Sequence, residues 1–145
     1  MKSKDYFTAE QKQQIVDAIH EAELNTSGEI RVHIDTKCKA KNPLDRAVQV
    51  FNKLEMHKTD LYNGVLIYLS VSDRKFAIIG DEGIDQKVPH DFWDSTKNLM
   101  IEHFKKGEMV LGLTEGIKLA GLQLKEFFPY QTGDIDELSN KISFE

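Results

Sequence analysis

Residues 63–84, NGVLIYLSVSDRKFAIIGDEGI, constrain the fold more than any other stretch, because two uninterrupted apolar runs flank a polar turn. Val65 to Leu69 and Phe76 to Ile79 are rich in β-branched and aromatic residues, the pattern of strands buried on both faces. Ser72-Asp73-Arg74-Lys75 between them is turn chemistry, so the runs should pair as an antiparallel hairpin. The second run empties into Gly80-Asp81-Glu82-Gly83. Two carboxylates are a costly way to end a buried strand unless the loop binds something.

The flanking sequence supplies the layers for such a hairpin. Thr8-Ala9-Glu10-Gln11 has the form of a capping box with Phe7 as a staple, and Ile15, Val16, Ile19 and Ala22 recur at helical spacing until Asn25 and Gly28. Residues 29 to 35 alternate, with Glu29, Arg31, His33 and Asp35 on one face and Ile30, Val32 and Ile34 on the other, which predicts a half-buried strand at or near a sheet edge. Asn42-Pro43 opens a second helix striped by Leu44, Ala47, Val48, Phe51 and Leu54. The crossover between residues 29 and 71 should then be right-handed and join parallel strands. Pro89 is expected to start a third helix, with Phe92, Trp93, Leu99, Met100 and Phe104 inward and Gly107 at its end. A fourth, from Val110 to Phe128, carries Gly112, Gly116 and Gly121 as points of close approach and is closed by Pro129. The tail from Thr132 has Ile135, Leu138, Ile142 and Phe144 as anchors and either folds back over the domain or frays. These elements make an α/β fold, an αβα three-layer sandwich in which helices flank a small mixed sheet on both faces.

Composition narrows the function classes. With 145 residues and 40% hydrophobic content the chain fits one domain, its core at about residues 8–129 and a tail at 130–145. A net charge of -5 with both signs interspersed leaves no basic footprint for nucleic acid. No apolar run approaches the roughly 20 residues of a membrane span, and the N-terminus has no signal-like apolar region. The expectation is a soluble, cytoplasmic monomer. The lone Cys38 excludes an intramolecular disulfide and a cysteine-built zinc site; Lys37, Lys39 and Lys41 favour its thiolate, though a solvated loop cysteine is the plainer reading.

Strand polarity brings Glu29, Asp60, Asn63, Asp81, Glu82 and Asp85 to one edge of the sheet. Carboxylates, an amide and loop carbonyls are the oxygen ligands that Ca²⁺ and Mg²⁺ take, and no soft ligand competes, so a divalent-ion site is the hypothesis. The ordinary alternative is solvated loop acids or helix caps. Gly80 to Asp85 does not match an EF-hand loop, lacking its alternating ligands and closing Glu. The opposite edge would gather Asp35, Asp73 and His33, where a cation or phosphoryl group could sit; His33 and Asp35 could pair, and Asp73 has an ordinary role in the turn. Ser70 and Ser72 stand in no Gly-x-Ser-x-Gly elbow, and Asp134-Ile135-Asp136 lacks the buried strand that an aspartyl phosphatase motif follows.

Ser27-Gly28-Glu29-Ile30-Arg31-Val32, Asn63-Gly64-Val65-Leu66-Ile67, Asp73-Arg74-Lys75 and Gly80-Asp81-Glu82-Gly83-Ile84, in this order and spacing, resemble the TPM domain. That family includes thylakoid-lumen proteins of photosystem II repair and a nematode acetylcholine-receptor accessory protein. Phe92-Trp93, Phe104-Lys105-Lys106-Gly107, Gly112-Leu113 with Gly116-Ile117, and Phe128-Pro129 extend the resemblance over residues 8 to 129. The tail Asp136-Glu137-Leu138-Ser139-Asn140 is similar to that of short bacterial members made of this domain alone. The resemblance implies an αβα sandwich, binding of divalent cations such as calcium and, for plant members, a weak acid phosphatase activity. Many members carry a signal peptide and a membrane span, and neither is visible here. Where many read Gly-Tyr-Gly-Leu-Glu, this chain has Gly80-Asp81-Glu82-Gly83-Ile84 followed by Asp85, and the extra acids favour one or two bound Ca²⁺ or Mg²⁺ ions. The leading expectation is a metal-modulated binding or structural module. A metal-dependent phosphomonoesterase is the alternative, and a scaffold for an unidentified protein partner the third.

Overall fold

The structure is a computed structural model that describes residues 2–131 and 138–145. Helix α1 (Ala9–Glu23) opens on the expected capping box: the Thr8 hydroxyl accepts from the Gln11 N–H at 3.1 Å and the Gln11 side chain accepts from the Thr8 N–H at 2.9 Å. Strand β1 (Glu29–Asp35) follows, then α2 (Pro43–Lys53), capped by Asn42 with proline in its first turn. Strands β2 (Gly64–Ser70) and β3 (Lys75–Gly80) form the hairpin, reversing through Arg74 at φ 51°. Helices α3 (Glu82–Lys87), α4 (Asp94–Lys105) and α5 (Met109–Leu124) complete the helical set, and β4 (Ser143–Phe144) returns to the sheet.

The sheet runs β3-β2-β1-β4. Strands β1 and β2 are parallel from Glu29 opposite Gly64 to Asp35 opposite Ser70, β2 and β3 are antiparallel, and β4 is parallel to β1. Ile30, Val32, Ile34, Val65, Ile67 and Leu69 pack with the apolar stripes of α1 and α5. On the other face Leu66, Tyr68 and Ala77 meet Ala47, Val50 and Phe51 of α2 and Met56. The result is the expected αβα sandwich. At Gly121 an added Cβ would lie 2.8 Å from the Ala22 backbone, so α5 touches α1 there only through glycine. No described helix is long and apolar enough to cross a membrane.

Four local expectations are corrected. The polar face of β1 is not half-exposed: Glu29, His33 and Asp35 are 4%, 2% and 0% exposed, because α2 and the returning segment 138–145 cover that face. Strand β3 is a sheet edge, so only Ala77 and Ile78 of it are buried. The third expected helix begins at Asp94, not Pro89; the proline instead stops α3, since it drives Val88 into extended backbone at φ -95°, ψ 153°. Helix α5 ends at Leu124, where the Phe127 and Phe128 N–H groups turn back onto the Leu124 carbonyl. The tail anchors Ile142 and Phe144 pack against the core. Ile135 and the Asp134-Ile135-Asp136 motif lie outside the described residues.

Candidate functional site

At the end of the sheet where β1 and β2 begin and β3 finishes, the loop expected after β3 is the first turn of α3. Asp81 caps it: one carboxylate oxygen, Oδ1, accepts the Glu82 N–H at 2.7 Å. The other, Oδ2, is buried and has no hydrogen-bond partner among the described residues. Asp85 lies one turn on, its N–H bonded to the Asp81 carbonyl at 3.1 Å. Burial first, then the Asp81 charge, pushes the Asp85 carboxyl above its usual range. Main-chain oxygens approach the same turn. The Gly83 N–H donates to the Tyr62 carbonyl at 2.9 Å, and a Cβ at Gly83 would lie 2.2 Å from the Leu61 oxygen, so only glycine admits this contact. Tyr62 holds it in a left-handed conformation, φ 49°.

The remaining expected ligands are placed differently. Glu82 and Asp60 are exposed and flank a surface cavity of about 470 Å³ that Leu61, Tyr62, Lys87 and Phe128 also line. Asn63 is buried and acts as a tie: its side-chain amide donates to the Ser27 carbonyl at 3.0 Å, and its own carbonyl accepts the Glu29 N–H. The Glu29 carboxylate takes the Leu138 N–H at 2.7 Å. Asp81 and Asp85 are thus brought together, but among the described residues no three of the expected carboxylates converge within 4.8 Å.

The opposite end of β1 holds a denser cluster. His33 Nε2 meets Asp35 Oδ1 at 2.8 Å, as the two-residue spacing allowed. Arg46 Nε from α2 and the Tyr68 hydroxyl from β2 donate to Asp35 Oδ2 at 2.8 and 2.6 Å. Arg46 Nη2 then reaches Glu145 Oε2 at 2.9 Å, and Lys53 Nζ reaches Glu145 Oε1 at 2.7 Å. Burial alone would raise the Asp35 carboxyl, yet the bonds from His33, Arg46 and Tyr68 outweigh it and hold the group far below its usual value. Burial and the Asp35 acceptor push the Tyr68 phenol up, and Lys53 draws Glu145 down. Ligand atoms of His33, Asp35 and Glu145 lie within 4.8 Å of one another, a possible metal site. Each of their carboxylate oxygens already faces a donor, and His33 Nε2 carries the proton that ionised Asp35 accepts, so an ion would have to displace these cations. Asp73, expected here, instead accepts from the Ser70 hydroxyl and the Cys38 N–H.

A family model for the TPM domain matches residues 1–122. The chain belongs to the TPM domain family. It is similar to the BA42 protein of the psychrophilic bacterium Bizionia argentinensis, with 50% identity, a TM-score of 0.90, and 96% of this chain and 95% of that one covered. The N-terminal domain of cg2496 from Corynebacterium glutamicum shares the fold at 11% identity and a TM-score of 0.62, over 94% of this chain and 80% of that one. So does an N-terminal domain from P. gingivalis, at 20% identity and a TM-score of 0.66, over 88% and 83%. No curated protein matches the chain significantly.

In this TPM domain, sequence reasoning missed Arg46, Tyr68 and Glu145. Tyr68 had a signal, since parallel pairing sets it opposite His33 on the same face. Arg46 sits on the sheet-facing side of a helix whose apolar stripe gave it no role. Glu145 had none, because it joins only through the return of the tail.

Proposed function

We propose that this TPM domain binds divalent cations, Ca²⁺ or Mg²⁺, at the first turn of α3, as a metal-modulated binding or structural module. The observation that carries the reading is the buried, unpartnered Oδ2 of Asp81 beside the Asp85 carboxyl. A buried carboxylate oxygen without a donor costs about 1–3 kcal/mol. A second carboxylate close enough to raise its neighbour's pKa adds to that cost, and a divalent cation relieves both. Asp81 and Asp85 would hold the ion, with the Leu61 carbonyl as a further hard oxygen and water completing the shell. Asp60 and Glu82 contribute charge to the rim, and a second ion, if one binds, is drawn there. Glu29 and Asn63 serve as ties in the form described. A bound ion would join the 57–63 segment to α3, and its loss would loosen both.

Calorimetry with Ca²⁺ and with Mg²⁺, followed by an amide-resolved titration, tests this. Saturable binding with shifts confined to residues 57–63 and 80–88 is expected. Unmoved resonances there, or heats no larger than those of an acidic surface, would sink the reading. The enzyme alternative, a weak metal-dependent phosphomonoesterase, needs a nucleophile and an acid beside the ion. The hydroxyl of Ser70 lies at the other end of β2 from Gly64, bonded to Asp73, so the binding module is preferred.

A further inference from the structure

Segment 138–145 is a strap laid over the polar face and outer edge of β1, fastened at both ends. At one end the Glu145 main chain bonds to Ile34 and Thr36, at 2.9 and 2.8 Å, while its side chain pairs with Arg46 and Lys53. Ser143 Oγ lies 2.7 Å from His33 Nδ1 between them. At the other end the Leu138 N–H donates to the Glu29 carboxylate at 2.7 Å. Its side chain shares the cover over Gly64 with Met56: an added Cβ would sit 3.1 Å from the Met56 carbonyl oxygen and 3.5 Å from Leu138 Cδ1.

The position of that second fastening matters. Glu29 is opposite Gly64 across β1 and β2, and Asp81, one residue beyond the last β3 pair, bonds its N–H to the Gly64 carbonyl at 2.8 Å. Directly paired residues project to the same face of a sheet. Glu29, Gly64 and Asp81 therefore form one row, with no side chain at its centre and with the Met56 carbonyl oxygen and Leu138 lying over the gap. The Glu29 backbone also bonds to Asn63, beside the Tyr62 carbonyl that receives the Gly83 N–H.

Resting on the cation reading above, we infer that the strap competes with the ion for Glu29. A neutral amide and a divalent cation are unequal partners for a buried carboxylate, and the cation is the stronger. With the strap docked, the Leu138 N–H holds Glu29, and Leu138 narrows the space over Gly64 beside the Met56 carbonyl, itself a hard oxygen that stays when the strap leaves. With it released, Glu29 loses that donor and turns toward Asp81 to join the ion's ligands. The strength of the latch is set at the far end, by Arg46 and Lys53 on Glu145. By linkage, whatever loosens Glu145 tightens ion binding, and ion binding loosens the strap by the same factor.

Hydrogen exchange in the wild-type chain reads the strap directly. Saturating Ca²⁺ should speed exchange of the Leu138, Thr36 and Glu145 amides relative to chelator. Calorimetry on Glu145→Gln should show Ca²⁺ bound about fivefold more tightly, the low end of coupling between two sites. Glu29→Gln added to that variant should remove most of the gain. Unchanged or slower exchange in the wild type overturns the competition, as does equal or weaker affinity in a folded Glu145→Gln; the cation reading survives both. Wild-type protein that binds no Ca²⁺ overturns both proposals. Should Glu145→Gln fail to fold, the wild-type exchange decides.

Discussion

Asp81→Asn separates a ligand-binding carboxylate from a merely structural one, because the two roles predict opposite shifts in one protein. Asn retains Oδ1 and caps a helix as well as Asp does, so the bond to the Glu82 N–H survives. What changes is the other atom. An unpartnered buried oxygen becomes an amide, and one of two repelling charges is lost. Without metal the variant should be the more stable by about 1 kcal/mol, the lower end of the penalty for an unsatisfied buried acceptor. For a chain of this size that is about 3 °C in Tm. With free ion at 100 times its Kd, the wild type gains about 2.7 kcal/mol by mass action, while the variant gains little. The order should therefore invert, the wild type melting about 5 °C above the variant. Scanning calorimetry of both proteins in chelator and in excess Ca²⁺ reads all four values. A variant that melts below the wild type in chelator, or that gains as much from Ca²⁺, refutes the argument that this oxygen waits for a cation.

The polar network yields a larger effect with no metal dependence: Asp35→Asn leaves Arg46 buried with Glu145 as its remaining carboxylate partner and should cost about 3–5 kcal/mol in urea denaturation at unchanged m-value. Tyr68→Phe removes one donor to that carboxylate and should cost about 1–2 kcal/mol by the same assay. In pH titrations, Asp35 and Glu145 have folded pKa values below their ordinary 3.8 and 4.5, so their stabilisation is complete above those values and is lost as pH falls through the depressed ones. Asp85 has the opposite sign. Its raised pKa means that protons compete with the ion above the usual Asp range, and calorimetric Ca²⁺ affinity should fall there while the fold is intact. Between two helix glycines, Gly121→Ala should cost more in thermal melts than Gly116→Ala, about 1–3 kcal/mol, because its Cβ meets the Ala22 backbone where the other meets a flexible Met100 side chain.

Layer order was legible wherever local chemistry decides it. The Thr8 box, the Asn42-Pro43 start, the unbroken apolar run of β2 and the alternation of β1 each determine an element by interactions among near neighbours, and each formed. Errors fell where a long-range partner overrides the local pattern. Alternation said that Glu29, His33 and Asp35 face water, yet a face coated by another segment looks identical in sequence to a face coated by solvent. That segment arrives from more than 100 residues away, through Leu138 on Glu29 and Ser143 on His33. Pro89 was misread for a different reason: a proline that starts one helix and a proline that stops another differ only in what precedes them, and six residues with one apolar anchor, Ile84, are too few for periodicity to register.

The two ends of β1 then carry opposite instructions about ligands. At the Asp35 end, two carboxylates face two basic side chains, a histidine and a phenol, and every carboxylate oxygen has its donor. Such a cluster resists a cation, since the cation must first evict a guanidinium, and its removal costs stability instead of affinity. At the Asp81 end one carboxylate oxygen is buried with nothing among the described residues to accept from, and the neighbouring carboxyl is pushed above its usual range. A fold that can bring three donor side chains to Asp35 has the means to satisfy Asp81 too. That it leaves this oxygen bare while closing the other end is the asymmetry expected if the missing partner comes from solution, and the strap, which touches both ends, is placed to let the closed one govern the open one.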